Sequence, residues 1–69
     1  MPNEVIFSLE EAPEGGFTAH ALGHLIFTEA ESMEELRANI REAVHVHFDE
    51  GDRPKIVQIH LVRDEIMAV

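Results

Sequence analysis

Hydrophobic residues recur at three- and four-residue spacing between Ser32 and Gly51, and this pattern predicts one amphipathic helix. Ser32 is placed to cap the first turn, and Glu35 lies three residues further on, where a capping box has its acid. Gly51 is placed to end the helix. The predicted inward stripe consists of Met33, Leu36, Ile40, Ala43, Val44, His47 and Phe48.

Alternation of apolar and polar residues predicts strands on both sides of the helix. In the first strand the odd-numbered side chains are expected to point inward, and a turn rich in proline and glycine follows it. Leu22-Gly23-His24 is expected to form a bend or bulge before the third strand. The predicted strands span residues 4–11, 17–21, 25–28 and 55–63. Residues 64–69 could extend the last strand, pair with a neighbouring chain or stay loose.

The element order predicts a single α+β domain of residues 1–69 with the order β-β-β-α-β. Three strands form an antiparallel meander, and a right-handed helical crossover makes the fourth strand parallel to the first. The simplest sheet order is therefore 3-2-1-4, with the helix on one face. Four apolar residues are expected on the other face, which favours pairing between chains: Ile6, Leu22, Ile56 and Val62.

The composition narrows the function classes. The 69 residues include 14 acidic and 5 basic ones, a formal charge of −9, which disfavours direct binding to nucleic acid or to acidic lipid. The absence of cysteine excludes disulfides and thiolate metal sites and fits a cytoplasmic location. The sequence contains no long apolar run and no leader pattern, so we do not expect a membrane or secreted protein. A chain this short has a small core, so we expect a homodimer or a higher homo-oligomer.

Three segments carry a resemblance to a known family. They are Gly16-Phe17 leading into the second strand, Leu22-Gly23-His24 before the third, and the acidic run from Glu31 to Leu36 that opens the helix. Together they resemble the HicB-like antitoxin family, and in particular its short, single-domain branch without a DNA-binding segment. The resemblance covers most of the chain.

The resemblance implies a partial RNase H-like fold and a function without catalysis. Such antitoxins bind HicA, a small basic toxin that degrades mRNA, and neutralise it by covering it. The implied partners are therefore a HicA-like toxin and further copies of the chain itself. An alternative function is a stand-alone oligomeric structural or regulatory domain with an unknown ligand and no toxin partner.

Catalytic and metal sites are not indicated by the sequence. A nuclease would need clustered acids on the sheet, whereas Glu10 and Glu11 lie at a strand end. His47 is expected in or near the core and the other histidines in solvent. We therefore predict no catalytic residue, no metal ligand and no cofactor. The residues expected to contact a partner or another copy are Ile6, Leu22, His24, Ile56, Val62 and Ile66.

Overall fold

The computed structural model describes residues 3–63 and 65–69. It shows a four-stranded mixed sheet with one helix on one face. The strand order is β3-β2-β1-β4, with β4 parallel to β1 and the other pairs antiparallel. The α+β class and the predicted topology are thereby confirmed. The elements are β1 (Glu4–Glu11), β2 (Phe17–Ala21), β3 (Phe27–Ala30), α1 (Met33–His47) and β4 (Ile56–Val62).

The core lies between α1 and the face of the sheet that carries the odd-numbered residues of β1. Alternation along β1 buries every second side chain, as predicted, and α1 contributes residues at four-residue spacing. The strand residues under the helix are small, which lets α1 lie close to β2 and β3. The buried core consists of Val5, Phe7, Leu9, Ala19, Ala21, Ile26, Ala30, Leu36, Ile40 and Val44.

The helix begins where the sequence predicts and ends earlier. Ser32 has an extended backbone and its Oγ accepts the N–H of Glu35 at 3.1 Å, which confirms the N-cap. The predicted end at Gly51 is wrong, because Phe48 already leaves the helical conformation, with φ −107° and ψ 138°. Its N–H still donates to the carbonyl of Val44 at 3.1 Å. Gly51 lies instead in the turn that follows.

The third strand lies two residues later than predicted. Residues 22–24 form the expected turn, with Gly23 at φ +83°, but the turn region continues to Ile26. The carbonyl of Ile26 accepts the N–H of Ala21 at 3.0 Å, and Leu25 is fully exposed at 100%. The longer turn shifts β3 from 25–28 to Phe27–Ala30, and little connection remains before Ser32.

The fourth strand is shorter by one residue at each end than the predicted 55–63. Its register with β1 puts Val57, Ile59 and Leu61 on the helix side. Val57 is partly buried against the core, whereas Ile59 and Leu61 are exposed, because α1 lies over β2 and β3. Of the C-terminal segment, Asp64 lies outside the described residues. Residues 65–69 are exposed and form no regular secondary structure.

Gly16 is required by a close approach of two backbones. Its φ is +85°, and a Cβ added there would lie 2.9 Å from the carbonyl oxygen of Ala30. Gly15 and Gly23 also have positive φ, but a Cβ on either would meet no atom within 4 Å. The glycine before Phe17 is therefore fixed by both conformation and space.

Replacement of Ser32 by Ala is expected to lower the free energy of unfolding by about 1 kcal/mol, because the N–H of Glu35 loses its acceptor. Urea denaturation followed by circular dichroism measures the change. Ser32→Asp is the matched control, since Asp caps equally well and should restore stability. Equal stability of the wild type and Ser32→Ala would contradict the assigned helix start.

Replacement of Ile40 by Ala should cost about 2–5 kcal/mol of unfolding free energy, because Ile40 is buried between α1 and the sheet. Val46→Ala in the same helix is the control: Val46 is 81% exposed, so its truncation should change stability little. Equal effects of the two substitutions in urea denaturation would show that the stripe through Ile40 is not the core.

Candidate functional site

The sheet face opposite α1, here called the outer face, is open across all four strands. Residues at paired positions in neighbouring strands point to the same side, so the register defines which side chains share this face. Leu22 continues β2, since its N–H donates to the carbonyl of Ile6 at 2.8 Å. The outer face carries Glu4, Ile6, Ser8, Glu10, Thr18, His20, Leu22, Phe27, Glu29, Ile56, Gln58, His60 and Val62.

Four apolar residues form a band that crosses the outer face from one sheet edge to the other. Phe27 in β3 is diagonal to Leu22, Leu22 lies opposite Ile6, and Ile6 is diagonal to Ile56 in β4. Diagonal neighbours in a sheet are close enough for long side chains to touch. Phe27 is 65% and Leu22 51% exposed. The apolar band is therefore hydrophobic surface that is exposed to solvent.

The structure brings together three of the six residues expected to contact a partner. Ile6, Leu22 and Ile56 belong to the apolar band, whereas Val62 lies at the opposite end of the same face beside Glu10. The other two, His24 and Ile66, lie elsewhere, in the turn before β3 and in the C-terminal segment.

Phe27 is the member of the band that the sequence interpretation missed. Its pairing with His20 puts it on the outer face. The signal was present in the sequence as an aromatic residue within the third apolar run. The face of Phe27 could not be assigned, because it depends on the register of β3 with β2, which the turn between them sets.

The charged side chains on the outer face are all acidic. Among residues 3–63 and 65–69 they are Glu4, Glu10 and Glu29, and no Lys or Arg of these ranges occupies the face. His20 and His60 are its remaining titratable residues, separated by β1. The outer face is therefore both acidic and apolar.

The basic residues gather on the other side of the sheet. Four of the five Lys and Arg residues of the chain line a groove between α1 and β4, here called the basic groove, with a volume of about 380 Å³. The basic side chains are those of Arg37, Arg41, Arg53 and Lys55, with His45 beside them. Apolar side chains complete the lining: Ile40, Val44, Val57 and Ile59.

The basic groove was not foreseen from the sequence. The spacing of Arg37 and Arg41 puts both on one side of a helix, but Arg53 and Lys55 come from the segment after it. Only the return of the chain into β4 brings the two pairs together. An i, i+4 pair of arginines in an acidic chain was the available signal.

Arg53 has a structural role within the groove. Its Nη2 donates to the carbonyl oxygens of His45, at 3.2 Å, and Phe48, at 3.5 Å. These carbonyls lie at the C-terminal end of α1, where a cation is favourable. By contrast, Arg37, Arg41 and Lys55 form no ion pair with any residue of the ranges 3–63 and 65–69.

His47 lies in a cluster of rings at the end of α1 and is not a core residue; it adjoins the core only through Phe48. Its ring centroid is 5.7 Å from that of His24 and 4.8 Å from that of Phe48, and His47 is exposed. His24 in turn packs edge-on against Phe48, at 4.9 Å. His47 is the last residue of α1.

The two acids considered for nuclease chemistry point to opposite sides of the sheet. Glu10 lies on the outer face, while Glu11, the next residue in β1, pairs with Arg63. The carboxylate of Glu11 accepts a hydrogen bond from Arg63 and raises the pKa of Arg63 above its usual value. Glu10 and Glu11 therefore cannot share one metal ion. No group of three His, Asp or Glu side chains in the described ranges is arranged to hold a metal.

The fold and its surfaces define a small α+β domain with one sheet face half covered by a helix and one face open. The chain belongs to the UPF0150 family. A UPF0150 protein of Archaeoglobus fulgidus is 56% identical over 52 residues, which cover 75% of this chain and 77% of that protein. A UPF0150 protein of Thermotoga maritima is 39% identical over 66 residues, or 96% of this chain and 93% of that protein.

Two further comparisons found nothing similar: neither a family model nor a solved structure matches the chain. Among the residues described, no helix has the length and apolar character needed to cross a membrane.

Replacement of Arg53 by Met should lower the unfolding free energy by about 1 kcal/mol, because the C-terminal carbonyls of α1 lose a charged donor. Arg41→Met removes the same charge from the same groove without breaking a hydrogen bond of the described residues, and should leave stability nearly unchanged. Urea denaturation of the two variants makes the comparison. A larger loss for Arg41→Met would contradict the role of Arg53.

Proposed function

We propose that this chain is a non-enzymatic binding protein of the HicB type, which neutralises a small basic, mRNA-cleaving toxin by covering it with the outer face. The observation that carries the proposal is the composition of that face, where an apolar band is flanked by acids and by no Lys or Arg. The resemblance of the segments around Phe17, Gly23 and Glu31 to the HicB-like family supports the same partner class.

The distribution of charge favours a basic partner. The formal charge is −9, four of the five basic side chains lie on the helix side of the sheet, and the fifth, Arg63, is paired with Glu11. The outer face is thereby left with negative potential. An RNA-cleaving protein needs a cationic surface to hold phosphates, and complementary charge accelerates and orients encounter with such a surface.

The apolar band supplies the part of the contact that charge cannot. Buried aromatic and aliphatic anchors at the centre of an interface contribute most of its affinity, while rim charges mainly set orientation and rate. Phe27 and Leu22 are exposed at one end of the outer face, with Glu29 and Glu4 nearby on the same face. A partner seated here would lose access to RNA by steric cover. The proposal places the chain in the cytoplasm, where mRNA is found.

The test uses the small basic protein encoded by the reading frame beside this gene, produced together with the chain. The two proteins should co-purify, and the chain should abolish RNA cleavage by the basic protein. Phe27→Ser and Glu29→Lys should each weaken the complex at least about tenfold in isothermal titration calorimetry, the first through loss of an anchor. Higher salt should weaken it as well.

Glu42→Lys is the matched control for Glu29→Lys, because it makes the same charge change on the exposed surface of α1. It should leave affinity for the basic protein within about twofold, since long-range charge effects are screened at physiological salt. Absence of any small basic reading frame beside the gene, or equal effects of Glu29→Lys and Glu42→Lys, would overturn the proposal.

A second candidate function is a stand-alone oligomeric structural or regulatory domain without a toxin. The observation that favours it is the exposed edge of β4, which has no charged residue from Ile56 to Val62. The two candidates separate on one result: in the second, the outer face would bind no basic protein while the chain still self-associates.

A further inference from the structure

We propose that a second copy of this chain pairs with the open edge of β4 in antiparallel fashion, and that the C-terminal segment of each copy reaches the basic groove of the other. The contact would join the two sheets into one of eight strands and bring an acidic, apolar segment to the one basic surface of the described chain.

The two edges of the sheet differ in how well they are protected. At one edge, β3 has four residues and carries Glu29. At the other, β4 has seven residues, Ile56–Val62, and none is charged, although 28% of the residues of the chain are charged. A long, uncharged edge strand presents unpaired N–H and C=O groups to any other strand, and proteins usually protect such edges with charge or cover. The edge of β4 is thus suited to pairing.

The helix side of β4 is apolar and only partly covered. Val57, Ile59 and Leu61 point to this side; Val57 is half-buried against the core, whereas Ile59 and Leu61 are exposed. An antiparallel copy of β4 across a two-fold axis at His60 would pair Ile59 of each copy with Leu61 of the other. Cross-strand pairs of β-branched and aliphatic residues stabilise antiparallel sheets. The apolar surface of β4 that α1 leaves exposed would be partly buried by the same surface of the second copy.

The register of such a pairing fixes where the C-terminal segment goes. The axis is perpendicular to the sheet, so paired residues lie on the same face and their numbers are both odd or both even. With His60 opposite the partner's His60, an extended continuation of β4 would put Glu65 opposite the partner's Lys55. This position lies on the helix side, at the basic groove.

The charges of the two segments are complementary. The described ranges hold no acid in ion-pair contact with Arg37, Arg41 or Lys55. The C-terminal segment brings Glu65 and the exposed apolar residues Ile66, which is 98% exposed, and Met67. The acidic and apolar side chains of this segment are complementary to the basic and apolar side chains that line the groove.

The segment of the same chain is poorly placed to fill its own groove. Lys55 precedes β4 and Glu65 follows it, and a strand of this length separates its two ends by roughly 20 Å. The segment would have to reverse direction at once to return. In the structure the molecule measures 52 × 22 × 18 Å, and the side chains at the C-terminal end are almost wholly exposed. The groove of an antiparallel partner, by contrast, lies in the direction in which β4 already runs.

Analytical ultracentrifugation over a concentration series tests the proposal with the full chain. The wild type should sediment as a dimer that dissociates on dilution and at high salt. Glu65→Lys and Lys55→Glu should each raise the dissociation constant at least about tenfold, because each puts like charges together at two symmetric places. The double variant, which carries both reversals and keeps the formal charge at −9, should regain most of the affinity.

Glu42→Lys controls for net charge, since it changes the charge as much as Glu65→Lys but lies on the solvent side of α1. Glu65 and Lys55 are exposed, so their reversal should leave the circular dichroism spectrum unchanged. A monomer at every concentration would overturn the proposal. So would a dimer that both single reversals leave intact, or one that the double variant fails to restore.

Discussion

One helix cannot cover a four-stranded sheet, and this limit determines most of the surface of the protein. An α-helix with its side chains is about 10 Å wide, whereas strands lie about 4.8 Å apart, so one helix covers two to three strands. Here α1 lies on β2 and β3 and closes a core around Phe7, Leu9 and Leu36. The helix side of β4 and the whole outer face remain open. The two surfaces proposed for recognition, the outer face and the β4 edge with its basic groove, are the parts of the sheet that the single helix does not cover.

The sequence predicted those parts of the fold that local patterns determine. Alternation located β1 and β2 to the residue, Ser32 marked the start of α1, and the element order gave the topology. The errors lie where hydrogen bonds outside regular elements decide. The longer turn before β3 is closed by the hydrogen bond from the N–H of Ala21 to the carbonyl of Ile26, and Arg53 from the following loop binds carbonyls at the end of α1.

The candidate surfaces were predictable only in part, for the same reason. Ile6, Leu22 and Ile56 could be assigned to the outer face by counting along strands, but the face of Phe27 depends on the register of β3 with β2. The basic groove joins two helix residues to two loop residues, and a pattern along the chain does not show that they meet. Net charge alone gave the opposite impression, since a formal charge of −9 hides a surface that is locally basic.

The separation of the two faces also has a consequence for stoichiometry. In the proposed dimer, a two-fold axis through the β4 edge, perpendicular to the sheet, would leave both helices on one side and both outer faces on the other. The two apolar bands would then lie on a single broad surface and point in the same direction. A partner that recognises one outer face would find a second, identical site beside it. Binding would be bivalent, and a partner that is itself dimeric would gain from both sites at once.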